Sequence, residues 1–541
     1  MTNIIKDISK GIIIPIGKTD KGKIINLDLT DGSCHGLICG MTGSGKTVLL
    51  HQIITKGSEI YNPQELQFVL LDYKGGTAFK DYVELPNVRV IAVDADIEFG
   101  NETLKFISET MKLRDALFKK NDVGNLTDYI EKTGNTCPVI LIIIDEFQVL
   151  LEGNYSDRSI HENIKKLLEE IVRLGRSFGI NLLLSTQTPT DVKWNARTIE
   201  NMAIRIGLRM SREAENYLFY HKKPIASEFT QNYGKAIYNS KAGVESESII
   251  FNIDYIDEKK LPIIIAGLKI DAENNNTTPH ERTIYYDNQA IKYNGSLLNN
   301  VNFGTTNNSF NIKIGEAAAI KNDAVEISMD AENLNNIIII GSQDAAKKDL
   351  KFIILNEFII NSAQDTEIIH YTSNLEKESE TKELFGKLNQ IKFINNKIEL
   401  TNIIIKLEQD LENKSNNNSL FKRTLIIIDG LEKLIGYSEQ VTEPLTFGSI
   451  SMDKNEKLKK IIFDGSILGI NFLFLVDEKN NFNKTFNLNS KDIDVTISVQ
   501  GVNNINNDLK LLESSYELKE NMAVLFDRST NKETKFNLIK L

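Results

Sequence analysis

The chain has 541 residues, of which 41% are hydrophobic and 25% charged, and its formal net charge is −11. That composition is globular and holds material for about three to four units of ordinary domain size; the acidic balance excludes a generally basic nucleic-acid coat, though not a basic channel on an acidic body. Cys34, Cys39 and Cys137 show no metal-ligand spacing and the six histidines do not cluster, which excludes a disulfide scaffold and gives no support to a metal hydrolase.

The first residues build no secretory signal. The longest apolar runs, such as 139–144 and 337–340, are too short to span a bilayer. The expected location is therefore the cytoplasm. Residues 12–17 open a β-rich lead-in, with Lys21-Gly22 as a hairpin turn before Ile24-Ile25-Asn26-Leu27. Next comes Gly36-Leu37-Ile38-Cys39, a short buried strand, and then Gly40-Met41-Thr42-Gly43-Ser44-Gly45-Lys46-Thr47, a full G-x-x-x-x-G-K-[ST] phosphate loop. The run from Val48 to Ile54 reads as the helix that follows. Strand, glycine loop and helix together give the context that such a motif requires.

The next buried strand, Phe68 to Asp72, leads into Tyr73-Lys74-Gly75-Gly76. Lys74 either lines the same edge or is a solvated turn lysine, and the sequence leaves both open. Helical spacing runs through Thr103–Lys120. Val139 to Ile144 is a continuous apolar run ending in Asp145-Glu146, as expected for a strand buried on both faces of a parallel sheet. A helix from about Ile160 to Phe178 leads to Ile180 to Thr186 and Gln187. Strands alternating with helices predict a doubly wound sheet with its site at the strand C-termini.

Residues 241–310 are rich in Asn and Thr and read as a connection with some ordered pieces. After them the first half returns in weaker form. Ile312 to Gly315 echoes Ile14 to Gly17. Asn336 to Gly341 echoes the strand into the phosphate loop. Leu425 to Asp429 echoes the Asp145 strand, Gly469 to Phe474 echoes Gly179 to Leu184, and Asn521 to Asp527 echoes Gly234 to Asn239. Five echoes in one order predict two copies of one domain. The expected layout is a phosphate-loop domain at 1–240, a connecting segment at 241–310 and a degenerate copy at 311–541. In the second copy Ala346 replaces the loop glycine, Lys348 replaces the metal-binding hydroxyl, Asp344 adds negative charge, Gly430 follows Asp429, and Asp477 stands where the first copy has Gln187. Hydrolysis there is not expected.

Phosphoryl transfer is mostly positioning and charge stabilisation, which assigns roles in the first copy. Gly40, Met41, Thr42, Gly43, Ser44, Gly45, Lys46 and Thr47 would cradle the phosphates of ATP, with backbone N–H groups and a helix N-terminus supplying the attraction. Lys46 would bridge the β- and γ-phosphates. Thr47 and Asp145 would hold Mg²⁺. Glu146 would polarise the attacking water, and Gln187 would sense or orient the γ-phosphate. Arg114, Arg205 and Arg209 are candidates for an arginine offered to a neighbouring subunit, or for plain ion pairs.

The first copy resembles the motor domain of the FtsK/SpoIIIE group of hexameric P-loop ATPases. The carrying residues are Gly40 to Thr47, Asp72 to Gly76, Ile144 to Phe147 and Arg173 to Gln187. The resemblance implies an α/β fold of two tandem RecA-like P-loop domains, each a mainly parallel sheet with helices on both faces. It also implies a homo-oligomeric ring, expected as a hexamer, and ATP-driven movement of a polymer. One branch of the group pumps double-stranded DNA; the other, the EccC/EssC ATPases of type VII secretion, exports helical proteins. Asp72 to Gly76, Glu84 to Asn87 and Arg205 to Ser211 look closer to the secretion branch, as does the tandem layout. The lack of a membrane segment in the chain favours double-stranded DNA as the polymer, with a secreted helical protein as the alternative.

Overall fold

The computed structural model describes residues 7–541 apart from 31–33, 75–77, 94–96, 152–157, 192–195, 230–233, 278–282, 287–290, 294–308, 318–322, 331–335, 363–365, 387, 415–422, 430–459, 466–468, 478–492, 500–517, 519 and 531. The chain forms two compact units, one taking in Met1–Asp287, the other Asn288–Ala318 and Asn322–Leu541.

The first unit runs β1 (Gly11–Lys18), β2 (Ile24–Thr30), β3 (His35–Cys39), α1 (Lys46–Ile60), β4 (Leu66–Asp72), β5 (Val88–Val93), α2 (Ile97–Lys120), α3 (Leu126–Thr133), β6 (Val139–Asp145), α4 (Arg158–Leu174), β7 (Ile180–Thr186), α5 (Ala196–Asn201), β8 (Ile204–Gly207), α6 (Arg212–Leu218), β9 (Lys235–Asn239), β10 (Ile249–Ile253), α7 (Leu261–Asn274) and β11 (Thr283–Tyr286). Its sheet has the order β11-β5-β4-β6-β7-β3-β8-β9-β10-β1-β2. Pairs from β11 to β8 are parallel; those from β8 to β2 are antiparallel.

Every residue of β6 and β7 is buried, so both faces of the centre are covered, as their unbroken apolar runs require. α1 turns Leu49, Leu50, Ile53, Ile54 and Gly57 inward at helical spacing and packs on β1 and β4. The lead-in hairpin closes where the sequence places it. Gly22 takes φ +79°, and its N–H donates to Thr19 O at 2.8 Å. The described residues of 241–310 include β10, α7 and β11, then strands of the second unit.

That unit runs β12 (Ile291–Lys292), β13 (Ser309–Ala317), β14 (Ala324–Asp330), β15 (Ile337–Ile340), α8 (Asp344–Ile360), β16 (Glu367–Thr372), α9 (Leu375–Phe385), β17 (Ile391–Ile394), α10 (Lys397–Lys414), β18 (Thr424–Asp429), β19 (Ile470–Val476), β20 (Val495–Val499), β21 (Met522–Asp527) and β22 (Lys532–Lys540). Its order, β14-β13-β22-β21-β20-β15-β19-β18-β16-β17, repeats that of the first unit strand for strand from β2 to β5; β12 pairs with β22 besides. Even the irregularity recurs. The β1–β2 register shifts between Pro15 and Gly17, and the β13–β14 register between Lys313 and Gly315. A Cβ at Gly17 would collide with Asn252 O on β10, and one at Gly315 with Asn537 O at 2.5 Å on β22. The two copies read from sequence are thus two copies of one topology.

Candidate functional site

The glycine loop occupies the gap between the C-terminal end of β3 and α1. Its neighbours fix it from both sides: Gly40 N–H donates to Thr186 O on β7 at 3.3 Å, and Met41 N–H to Arg209 O beyond β8 at 2.9 Å. Gly43 and Gly45 take φ +73° and +100°, which lets the chain double back before Lys46 starts the helix. A Cβ at Gly40 would lie 2.5 Å from Ser44 Oγ and 2.9 Å from Leu208 Cβ. Ser44 Oγ is buried and has no hydrogen-bond partner among the described residues.

Register brings the acidic groups beside the loop. Asp72 on β4 is level with Asp145 on β6, Asp145 with Ser185 on β7, and Thr186 with Cys39 on β3. Because β7 lies between β6 and β3, Gln187 stands between the acidic pair and the phosphate loop. Glu146 leaves β6 with φ +53°, a left-handed turn uncommon for a side-chain-bearing residue. Lys46 is 5% exposed, and its Nζ lies 3.0 Å from Asp145 Oδ1 and 2.5 Å from Glu146 Oε1. Gln187 Nε2 donates to Glu146 Oε1 at 2.5 Å, and Thr42 Oγ1 donates to Gln187 Oε1 at 2.6 Å. The loop, the glutamine and the glutamate form one connected chain of hydrogen bonds.

Burial alone would raise the Glu146 carboxyl. Hydrogen bonds from Lys46, Gln148 and Gln187 outweigh it and hold the group below the usual glutamate range. Gln148 carries no sequence signal, yet its Nε2 meets Glu146 Oε2 at 2.8 Å. Asp72 accepts from the N–H groups of Lys74 at 2.8 Å and Ala78 at 3.0 Å. That turn brings Lys74 Nζ to 3.7 Å from Glu146 Oε1, so the lysine does face the site; Gly75 and Gly76 lie outside the described residues.

Two of the candidate arginines are corrected by their burial. Arg205 is 0% exposed; its Nη1 donates to Leu218 O at 2.6 Å, because the strand Ile204-Arg205-Ile206-Gly207 is covered on both faces. Arg114 is likewise buried, donating to Phe178 O and to Pro138 O. Neither guanidinium can be offered to a neighbouring chain. Arg209 is half-buried at the loop's edge.

A second buried carboxylate shapes the surroundings. Glu215 on α6 accepts from Ile225 N–H at 2.6 Å, Ala226 N–H at 3.0 Å, Ser227 N–H at 2.8 Å and Ser227 Oγ at 2.7 Å. The segment it pins leads to Gly234, whose N–H donates to Ser44 O at 3.3 Å. Glu215→Ala is expected to lower stability by about 2–4 kcal/mol in urea unfolding, since three N–H groups and a hydroxyl lose a charged acceptor at once. Glu215→Gln should cost less.

In the second unit the corresponding loop differs in kind. α8 starts at Asp344, three residues before Lys347, whereas α1 starts at Lys46 itself. Lys347 N–H donates to Gln343 O at 3.2 Å, as an ordinary helical bond. Lys347 Nζ pairs with Asp477 and lies 3.3 Å from Asp344 Oδ1. Gly430 lies outside the described residues.

Residues 5–191 match the model of the FtsK/SpoIIIE family. The ESX secretion system protein EccC of Geobacillus thermodenitrificans is 30% identical over 211 residues, which amount to 37% of this chain and 14% of that relative's length. The cytoplasmic domain of the type VII secretion ATPase EccC from Thermomonospora curvata aligns over 97% of this chain and 63% of its own, at 16% identity and a TM-score of 0.68. ATPases 2 and 3 of T. curvata EccC, solved with a signal sequence peptide, align over 98% of this chain and 92% of their own, at 14% identity and a TM-score of 0.57. At such identities the structural likeness carries the fold alone. By name these relatives are ESX or type VII secretion proteins, and they give double-stranded DNA no support as the partner. Residues 5–191, the stretch that matches the FtsK/SpoIIIE family model, lie in the first of two tandem units that share one strand order.

Proposed function

We propose that this chain is an ATP-hydrolysing motor of the type VII secretion kind, which drives helical protein substrates from the cytoplasmic side as part of a homo-oligomeric ring. The supporting observation for hydrolysis is the buried cluster of Lys46, Asp145 and Glu146, with Gln187 bonded to it, at one set of strand ends. The secretion reading is supported by the 30% identical EccC relative and by the matching tandem layout. The second unit would dock a segment of the exported protein.

The residues fit ATP and Mg²⁺. Gly40 leaves a cradle that a Cβ would fill, and the unpartnered Ser44 hydroxyl lies within it. Thr47 and Asp145 are hard oxygen donors of the sort Mg²⁺ takes alongside phosphate and water. Bound there, Mg²⁺ supplies neutralisation of phosphate charge. Lys46 cannot hold Glu146 and a phosphate at once. Phosphate would draw Lys46 away and leave Glu146 Oε1 open to accept a proton from water. Gln187, joined to both Thr42 and Glu146, would report loop occupancy to the glutamate.

ATP turnover of the purified chain should rise on adding a small helical secreted protein and stay unchanged with duplex DNA at several salt concentrations. DNA-stimulated turnover that falls steeply with salt would overturn the secretion reading in favour of a DNA motor.

A further inference from the structure

The second unit's site holds a buried cation, Lys351, where the first unit has a leucine. Register and chain order equate Lys347 with Lys46, Asp429 with Asp145 and Asp477 with Gln187. The same alignment puts Lys351 at the place of Leu50 and His370 at the place of Leu70. Both leucines are fully buried in the first unit. Lys351 is 1% exposed, and its Nζ sits 3.0 Å from Asp429 Oδ2. Lys377 Nζ approaches Asp429 Oδ1 at 3.2 Å and Asp344 Oδ1 at 3.3 Å. Lys348 pairs with Glu380 at 2.6 Å.

We propose that the second unit has exchanged nucleotide and metal for an internal ion lock, in which Lys351 and Lys377 hold Asp429 while Lys347 is committed to Asp477 and Asp344, so that this unit takes no nucleotide and each chain binds one. Three features carry it. Residues 344–346, which would have to cradle phosphate, are the first turn of α8, and Lys347 N–H already serves that helix. The cavity of about 320 Å³ there is lined by four lysines, Lys347, Lys348, Lys351 and Lys377, each paired with a carboxylate. Asp429, the acid that would face a metal, already has an ammonium on each oxygen. Burial alone would raise its carboxyl, and Lys351 and Lys377 outweigh that and hold it below the usual aspartate range. An arriving phosphate would meet the Asp344 carboxylate in the first turn of α8, where the first unit presents the glycine loop.

Titration of the full chain with ATPγS and Mg²⁺ should give one nucleotide per chain in the wild type and none in Lys46→Ala. Two per chain, or one remaining in Lys46→Ala, would overturn the lock. Photolabelling of the wild-type chain with an azido-ATP, followed by peptide mapping, reads the same point without a variant. Label confined to residues before Asp287 supports the lock, and label within α8 or β18 overturns it. Absence of all binding would sink the reading of the first unit and, with it, the count of one nucleotide per chain, whereas label in α8 or β18 sinks the lock alone.

Discussion

Glu146→Gln is expected to cut ATP turnover by about 10²–10⁴-fold while leaving nucleotide bound. A glutamine cannot accept the proton of the attacking water, yet it can hold the side-chain place that Gln187, Gln148 and Lys46 now define. Phosphate release in a single turnover should therefore collapse, with ATPγS affinity changed little. Because its folded-state carboxyl is held down, Glu146 is ionised throughout the neutral range. Activity in the wild type should fall on the acid side as Glu146 takes up a proton, since Gln148 and Gln187 still hold the carboxyl down once phosphate has drawn Lys46 away. The stabilising part of the same contacts follows that sign: it is present above the ordinary glutamate range and lost in acid. Undiminished turnover in the glutamine variant would remove Glu146 from the chemistry.

Much of this site was legible because its parts are local. A phosphate loop needs its glycines and lysine within eight residues, and an acidic pair closing an all-apolar strand can hardly be anything but a strand end in a parallel sheet. Repetition was legible from five echoes, since a strand order imposes itself on the apolar runs of both halves; the shared shift at Gly17 and Gly315 gives the first of them a structural basis. Burial was not legible for Arg114 and Arg205. Their acceptors are carbonyls 24 to 64 and 6 to 13 residues away, and carbonyls leave no mark in a sequence. Lys351 escaped for a similar reason: its partner lies 78 residues on, and a single lysine in a helix reads as a solvated one. The polymer was not legible, because phosphate-loop motifs encode ATP chemistry and leave a cargo unspecified.

Single substitutions in the Lys351–Asp429 pair should be severe, and the double substitution mild. Asp429→Leu strands the almost fully buried Lys351 and leaves Lys377 with Asp344 alone, and should destabilise the second unit by about 3–5 kcal/mol. Lys351→Leu restores the residue found at the same place in the first unit, but it leaves Asp429 with Lys377 alone, so its cost should lie near the lower end of that range. Combining the two replaces a buried pair by apolar side chains and should return stability close to that of the wild type. The order Asp429→Leu, then Lys351→Leu, then the double variant is the test, read by urea unfolding with hydrogen exchange on β16 and β18. Additive losses would mean that the two groups do not act on each other. The pH dependence follows from Asp429, whose folded carboxyl is held down. The unfolded group takes up its proton first as the pH falls, so the pair's contribution is whole above about pH 4 and fades towards the lowered folded value. Asp429→Leu should flatten that acid limb in the second unit and leave the limb of the first unit, set by Glu146 and Glu215, where it was.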